Sequence, residues 1–171
     1  MTKTIGLVAL AAYVGTIFAA NWLIQHVGIV DVGFGLQAPA GVFAAGAALT
    51  FRDVVQKELG RLVVVGAIVI GAALSFLVAP AFALASGTAF LVSELADFSV
   101  YTPLSKKTWL GAVALSNTVG VVVDSALFLW LAFGSLALFW GQVVGKTWVT
   151  LLSIAILALV QTAWRHRPVR A

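Results

Sequence analysis

Six apolar stretches, at 5–25, 36–52, 62–79, 81–102, 109–133 and 136–164, take up most of this chain. Each reaches the roughly 17 residues or more that a helix needs to cross about 30 Å of hydrocarbon. With 62% hydrophobic and 9% charged residues and a mean hydropathy of +1.10, there is too little polar side chain to cover a soluble globule. The expected fold class is therefore an all-α integral membrane protein. It is a compact bundle of six transmembrane helices forming one domain over residues 1–171.

The cations set an expected orientation. Lys3 precedes the first stretch; Arg52, Lys57 and Arg61 flank the second gap; Lys106 and Lys107 occupy the fourth; Arg165, Arg167 and Arg170 end the chain. The first, third and fifth gaps hold none, so the positive-inside rule puts both termini and the even gaps in the cytoplasm of a multi-pass plasma (inner) membrane protein. In this reading Arg52, Lys57 and Arg61 are topology determinants. The net charge of +4 is assigned to anionic headgroups, and no nucleic-acid partner is expected. Lys3 ahead of an apolar run also fits a signal peptide, but the run is long and ends in polar Asn21 and Gln25 without a clear cleavage site. With no cysteine, and with His26 and His166 far apart, neither a metal nor a cofactor is expected.

Local signals refine the bundle. Pro39, Pro80 and Pro103 fall at or near boundaries, where a missing amide is tolerated. The third and fourth stretches are joined by almost nothing, which predicts a tight helical hairpin. Trp22, Trp109, Trp130, Trp140 and Trp164 sit near segment ends as interfacial anchors do, and Trp148 lies deeper. Gly141 and Gly145 form a G-x-x-x-G pair that permits close backbone approach.

One cation, Lys146, lies inside an apolar stretch, and so do Asp124, Asp97 and Glu94. Ionisable groups there are costly unless they pair or face water, and they point to a polar path or binding site. Asn117, Gly120 and Asp124 share one face of the fifth helix, and Gln142, Lys146 and Thr150 one face of the sixth. Counted from a turn near Ser135, Asp124 and Lys146 both fall roughly 16 Å deep, so they are expected to meet near the midplane. Glu94, Asp97 and Tyr101 share a face nearer the cytoplasm, Asn21 and Gln25 lie at the outer end of the first helix, and Asp53 near the inner end of the second. Together they describe a polar column across the membrane. The plainer readings are a neutralised structural Asp–Lys pair, pairing of Glu94 or Asp97 with Arg52 or Lys107, and an interhelical hydrogen bond at Asn21.

Several of these residues fall in longer strings: ANWLIQ (20–25), FRDVVQKELGR (51–61), SELADFSVYTPL (93–104), SNTVGVVVDSALFLWLAF (116–133) and GQVVGKTWVTLLS (141–153). In this order, through nearly the whole chain, they resemble the queuosine precursor transporters, formerly called the vitamin uptake transporter family. Asn21, Asp53, Asp97, Asp124 and Lys146 take the positions of that family's characteristic polar residues, and Glu94 a position where members carry Glu or Gln. The chain is short beside that family, with clipped loops and tails. The resemblance implies uptake of the 7-deazaguanine bases preQ0 and preQ1 by a small secondary-type transporter.

The side chains suit such a ligand. A carboxylate accepts the paired N–H donors of the base, Lys, Asn or Gln donates to its carbonyl, and an aromatic ring stacks on it. Asp97 is the first choice for the base-reading carboxylate and Asp124 the second. The expected partners are the small-molecule base and the lipid bilayer, with homo-oligomers left open. A second reading is the substrate-binding membrane subunit of an ATP-energised uptake system, whose ATPase must come from elsewhere because the chain has no G-x-x-x-x-G-K-[ST] loop. The chain is not expected to be an enzyme, having no paired-His metal motif, nucleophile elbow or Ser-His arrangement at plausible depth.

Overall fold

The computed structural model describes residues 2–78 and 83–165. Among them run six helices: α1 (Thr2–His26), α2 (Val42–Leu59), α3 (Arg61–Val78), α4 (Ala83–Leu104), α5 (Trp109–Phe133) and α6 (Phe139–Arg165). A two-stranded antiparallel hairpin, β1 (Ile29–Gly33) and β2 (Leu36–Pro39), joins α1 to α2. Among the described residues, three stretches are long and apolar enough to cross a membrane: Lys3–His26, Trp109–Phe133 and Phe139–Ile156. The expected turn between the third and fourth helices, with Pro80, and the tail residues His166, Arg167 and Arg170 lie outside the described residues.

The helices begin and stop for local reasons. α2 closes on Gly60 at φ 92° and α5 on Gly134 at φ 62°, positive-φ backbone that glycine adopts without steric cost. The buried residues of α1, Gly6, Ala9, Tyr13, Thr16, Ile17 and Asn21, recur at helical spacing and so form one stripe. α2 and α6 cross where Gly46 has no side chain; a Cβ there would stand 3.1 Å from the Lys146 Cα.

The second helix departs from the sequence reading. Residues 36–39 are a strand, and the helix runs Val42–Leu59 instead of 36–52. The apolar run stopped at Arg52, but the helix continues because Arg52 and Asp53 are buried and the next helix-breaking residue is Gly60. The all-α expectation therefore needs a hairpin added to it. Its strands pair Ile29 with Pro39 and Val30 with Ala38, and Asp31 accepts a 2.6 Å hydrogen bond from the Gly33 amide. At the tip Phe34 and Gly35 both have positive φ, 58° and 70°, as in the two-residue turns that suit strand twist.

The hairpin lies along the first turns of α6. Val32, Ala38 and Val42 form a small core with Val144 against it. Trp148 Nε1 donates to the Val32 carbonyl at 3.1 Å, and the Trp148 ring stacks on Phe34 with centroids 6.1 Å apart. A Cβ on Gly141 would collide with the Gln37 carbonyl, and one on Gly145 would press on Val42 and Val32. The G-x-x-x-G pair thus admits a strand and the start of α2, and the one deep tryptophan is an anchor for the hairpin.

Candidate functional site

A cleft of about 70 Å³ opens among α1, α2, α4, α5 and α6. Its apolar wall includes Ile17, Leu49, Phe90 and Phe128, and its polar side chains include Asn21, Ser93, Glu94, Asp124, Gln142 and Lys146, with Thr16 and Ser86 beside them. Pro39 and Gly41 bring the end of the hairpin to its edge.

Lys146 anchors the polar side. Its Nζ donates to Asp124 Oδ2 at 2.5 Å, Gln142 Oε1 at 2.7 Å and Ser125 Oγ at 2.9 Å, so the ammonium has an acceptor for each of its three protons. Lys146 is 1% exposed and Asp124 19%; the carboxylate is the more open member of the pair. Its Oδ1 takes a long hydrogen bond of 3.5 Å from Ser93. The expected meeting of Asp124 and Lys146 is present in the structure.

A second charged layer lies behind the first, toward the Leu59 end of α2. Arg52 contacts Asp53 at 2.9 Å, Glu94 at 3.2 Å and Asp97, and all four side chains are almost fully buried. The Arg52 guanidinium also sits 5.6 Å from the centre of the Tyr101 ring, whose hydroxyl donates to the Asp53 carbonyl at 3.3 Å. The assignment of Arg52 as a topology determinant is corrected here. An Arg with no exposed surface and three carboxylate contacts is an interior residue, and it is at least seven residues, about 10 Å, from either end of α2. Asp53 is likewise interior, six residues short of the helix end.

Placement of the expected residues follows from these two layers. Asn21, Glu94, Asp124, Gln142 and Lys146 come together on the cleft. Asp53, Asp97 and Tyr101 belong to the Arg52 layer. Asn117 is buried beside it, donating to Thr50 Oγ1 at 3.0 Å. Gln25 is exposed and is not gathered into either layer. Asn21 donates to the Ile17 carbonyl within its own helix, in place of an interhelical bond. Ser93, Ser125, Phe90 and Phe128 were missed by the sequence reading, whereas pairing of Glu94 and Asp97 with Arg52, one of its plainer readings, is present in the structure. Arg52 carried a usable signal, because LTFRDVV places an adjacent Arg–Asp pair between apolar residues on both sides.

The fold defines a helical membrane protein with a polar-lined cleft inside its bundle. A family model described as "Putative vitamin uptake transporter" matches residues 75–164. That is more than half of the chain, and the chain belongs to this family of vitamin uptake transporters. The match spans Glu94, Asp97, Asn117, Asp124, Gln142 and Lys146. No curated protein and no solved structure matches the chain significantly.

Proposed function

We propose that the protein takes up 7-deazaguanine bases of the preQ0 and preQ1 type, binding them in the cleft between Phe90 and Phe128. The observation that carries this reading is one slot lined by apolar side chains together with both acceptors and donors. Asp124 and Glu94 have carboxylate oxygens for the N–H edge of the base, and Asn21 and Gln142 have N–H donors for its carbonyl; Lys146 reaches the base by exchanging one of its bonds to Asp124, Gln142 or Ser125. The two Phe rings supply faces for a flat heterocycle. Asp97 faces Arg52 and does not line the cleft, so Asp124 takes the base-reading role first assigned to Asp97.

In the same proposal all six helices span the plasma membrane with both termini cytoplasmic. Lys57, Arg61, Lys106 and Lys107 cluster at the α2–α3 and α4–α5 connections, while the hairpin and the α5–α6 turn contain neither Lys nor Arg. Reporter fusions in 28–35 should then read outside and fusions after Lys107 inside. The functional test is uptake of labelled preQ0 and preQ1 by cells that lack both their synthesis and their own transporter, read as queuosine in transfer RNA. Restored queuosine that disappears with Asp124→Asn is the expected result. No restoration by the parent protein, expressed and membrane-inserted, would reject the substrate class. Restoration that requires a co-purifying ATPase would move the chain to the ATP-energised alternative.

A further inference from the structure

The Arg52 layer does not balance its own charge. Asp53, Glu94 and Asp97 converge on one guanidinium, and if all were ionised two negative charges would remain uncompensated among side chains with at most 1% exposure. No other cation contacts the layer among the described residues; Lys146 is committed to Asp124, Ser125 and Gln142. Beyond that one guanidinium, the neutral donors near the carboxylates are the Ser116 hydroxyl beside Asp53 and the Tyr13 hydroxyl, wholly buried on α1, beside Glu94. Neither adds a positive charge, and Asp53 Oδ2 and Asp97 Oδ2 make no contact with Arg52 and are buried. Uncompensated buried carboxylates relieve their cost by binding a proton.

The position of Glu94 adds a route. It belongs to both layers, contacting Arg52 at 3.2 Å and lining the cleft beside Ser93, which reaches Asp124. The charged and titratable groups around it are Tyr13 from α1, Arg52 and Asp53 from α2, Asp97 from α4 itself and Asp124 from α5, with Lys146 of α6 behind Asp124. α3 has no ionisable side chain beyond Arg61 at its start.

We propose that Arg52, Asp53, Glu94 and Asp97 form a proton-binding site that opens onto the cleft through Glu94 and couples substrate uptake to proton entry. The proton enters on Glu94 from the cleft, is shared within the carboxylates around Arg52, and leaves toward the Leu59 end when the cleft has emptied. No bond other than O–H is made or broken, and each cycle returns the site to its starting protonation. This deepens the uptake reading above and rests on it for the coupling step; the held proton does not depend on the identity of the substrate.

Two measurements on the purified, reconstituted full chain test it. Difference infrared spectroscopy across a pH titration should show a buried carboxylic-acid C=O stretch at neutral pH, shifted in D2O and lost or displaced in Glu94→Gln. A parent spectrum with carboxylate bands only at neutral pH overturns the proposal, and this outcome does not require any variant to fold. In proteoliposomes with the membrane potential clamped, an inward gradient of one pH unit should raise steady-state accumulation of preQ1 or preQ0 about tenfold for one-proton coupling. Substrate addition should also acidify the lumen. Uptake that ignores the gradient and moves no protons overturns the coupling even if the acid band is present. An intact acid band with no uptake of either base rejects the substrate reading and supports the proton site.

Discussion

The two charged layers use the same side-chain types and reach opposite solutions. Around Lys146 one cation meets one carboxylate, every ammonium proton has an acceptor, and Asp124 keeps 19% of its surface open. Around Arg52 one cation meets three carboxylates, and nothing is exposed beyond 1%. The first arrangement is neutral and leaves a carboxylate reachable by a ligand. The second is buried, acidic in excess and meets the cleft at Glu94. A buried pair contributes little net stability, but removing one partner from it is strongly destabilising. The layers should therefore fail in different ways.

The largest effect is expected at Arg52. Arg52→Met leaves three carboxylates around an apolar side chain and should destabilise the fold by at least the roughly 3–5 kcal/mol typical of breaking a buried pair. Thermal unfolding in detergent is the measurement, and parental stability in this variant would remove the distinction between the layers. Arg52→Lys should recover only part of the loss, because a single ammonium cannot reproduce the directions in which the guanidinium meets Asp53, Glu94 and Asp97.

Next come the single neutral variants of the open layer. Lys146→Met strands Asp124, and Asp124→Asn strands Lys146 beside Gln142 and Ser125. Each should abolish uptake, with a stability loss of about 1–3 kcal/mol, below that of Arg52→Met because Asp124 can recruit solvent from the cleft. The double variant should regain stability, and its transport separates two roles. Recovered uptake would make the pair structural; a folded, inactive protein would place Asp124 or Lys146 on the substrate.

Gly141→Ala sharpens the comparison from outside the charges. The new methyl group collides with the Gln37 carbonyl, so the hairpin must shift and overpacking of about 1–3 kcal/mol follows. Base binding in the cleft, whose edge carries Pro39, should weaken, while the carboxylic-acid band assigned to the Arg52 layer should be unchanged. A change in that band would show that the layers are mechanically coupled.

The smallest effect is at Trp148→Phe, which keeps a ring against Phe34 but removes the donor to the Val32 carbonyl. A loss of about 0.5–1.5 kcal/mol is expected for one hydrogen bond. Faster thiol labelling of a cysteine placed at Phe34 would report loosening of the hairpin tip.

Much of this was legible before any coordinates. The stretch 109–133 coincides with α5, and α1, α3, α4 and α6 lie within three residues of expectation at each described end, because apolar length and flanking glycines are local properties. Asp124 and Lys146 were paired by counting turns from one loop, which works when two helices are consecutive and antiparallel. The hairpin was legible in principle: Ile29-Val30-Asp31-Val32 followed by Gly33-Phe34-Gly35 is a β-branched run ending in a glycine-bracketed turn. It was passed over because the gap was judged by its lack of charge.

Sequence by itself determined the helix count, the apolar character and the residues able to carry chemistry, since these follow from composition and period along the chain. Only the tertiary structure chose Arg52 over Lys107 as the partner of Glu94 and Asp97. Arg52 reads locally as the cation that ends an apolar run, and its burial depends on Glu94 and Asp97 arriving from a helix more than 40 residues away. Asp97 and Glu94 are one turn apart on α4, yet one is sealed against Arg52 and the other also reaches the cleft. Sequence spacing put both on one face. The rotation of that face against α2 and α5 is set by how side chains and glycines such as Gly120 fit together across the bundle, and that is a property of packing between segments.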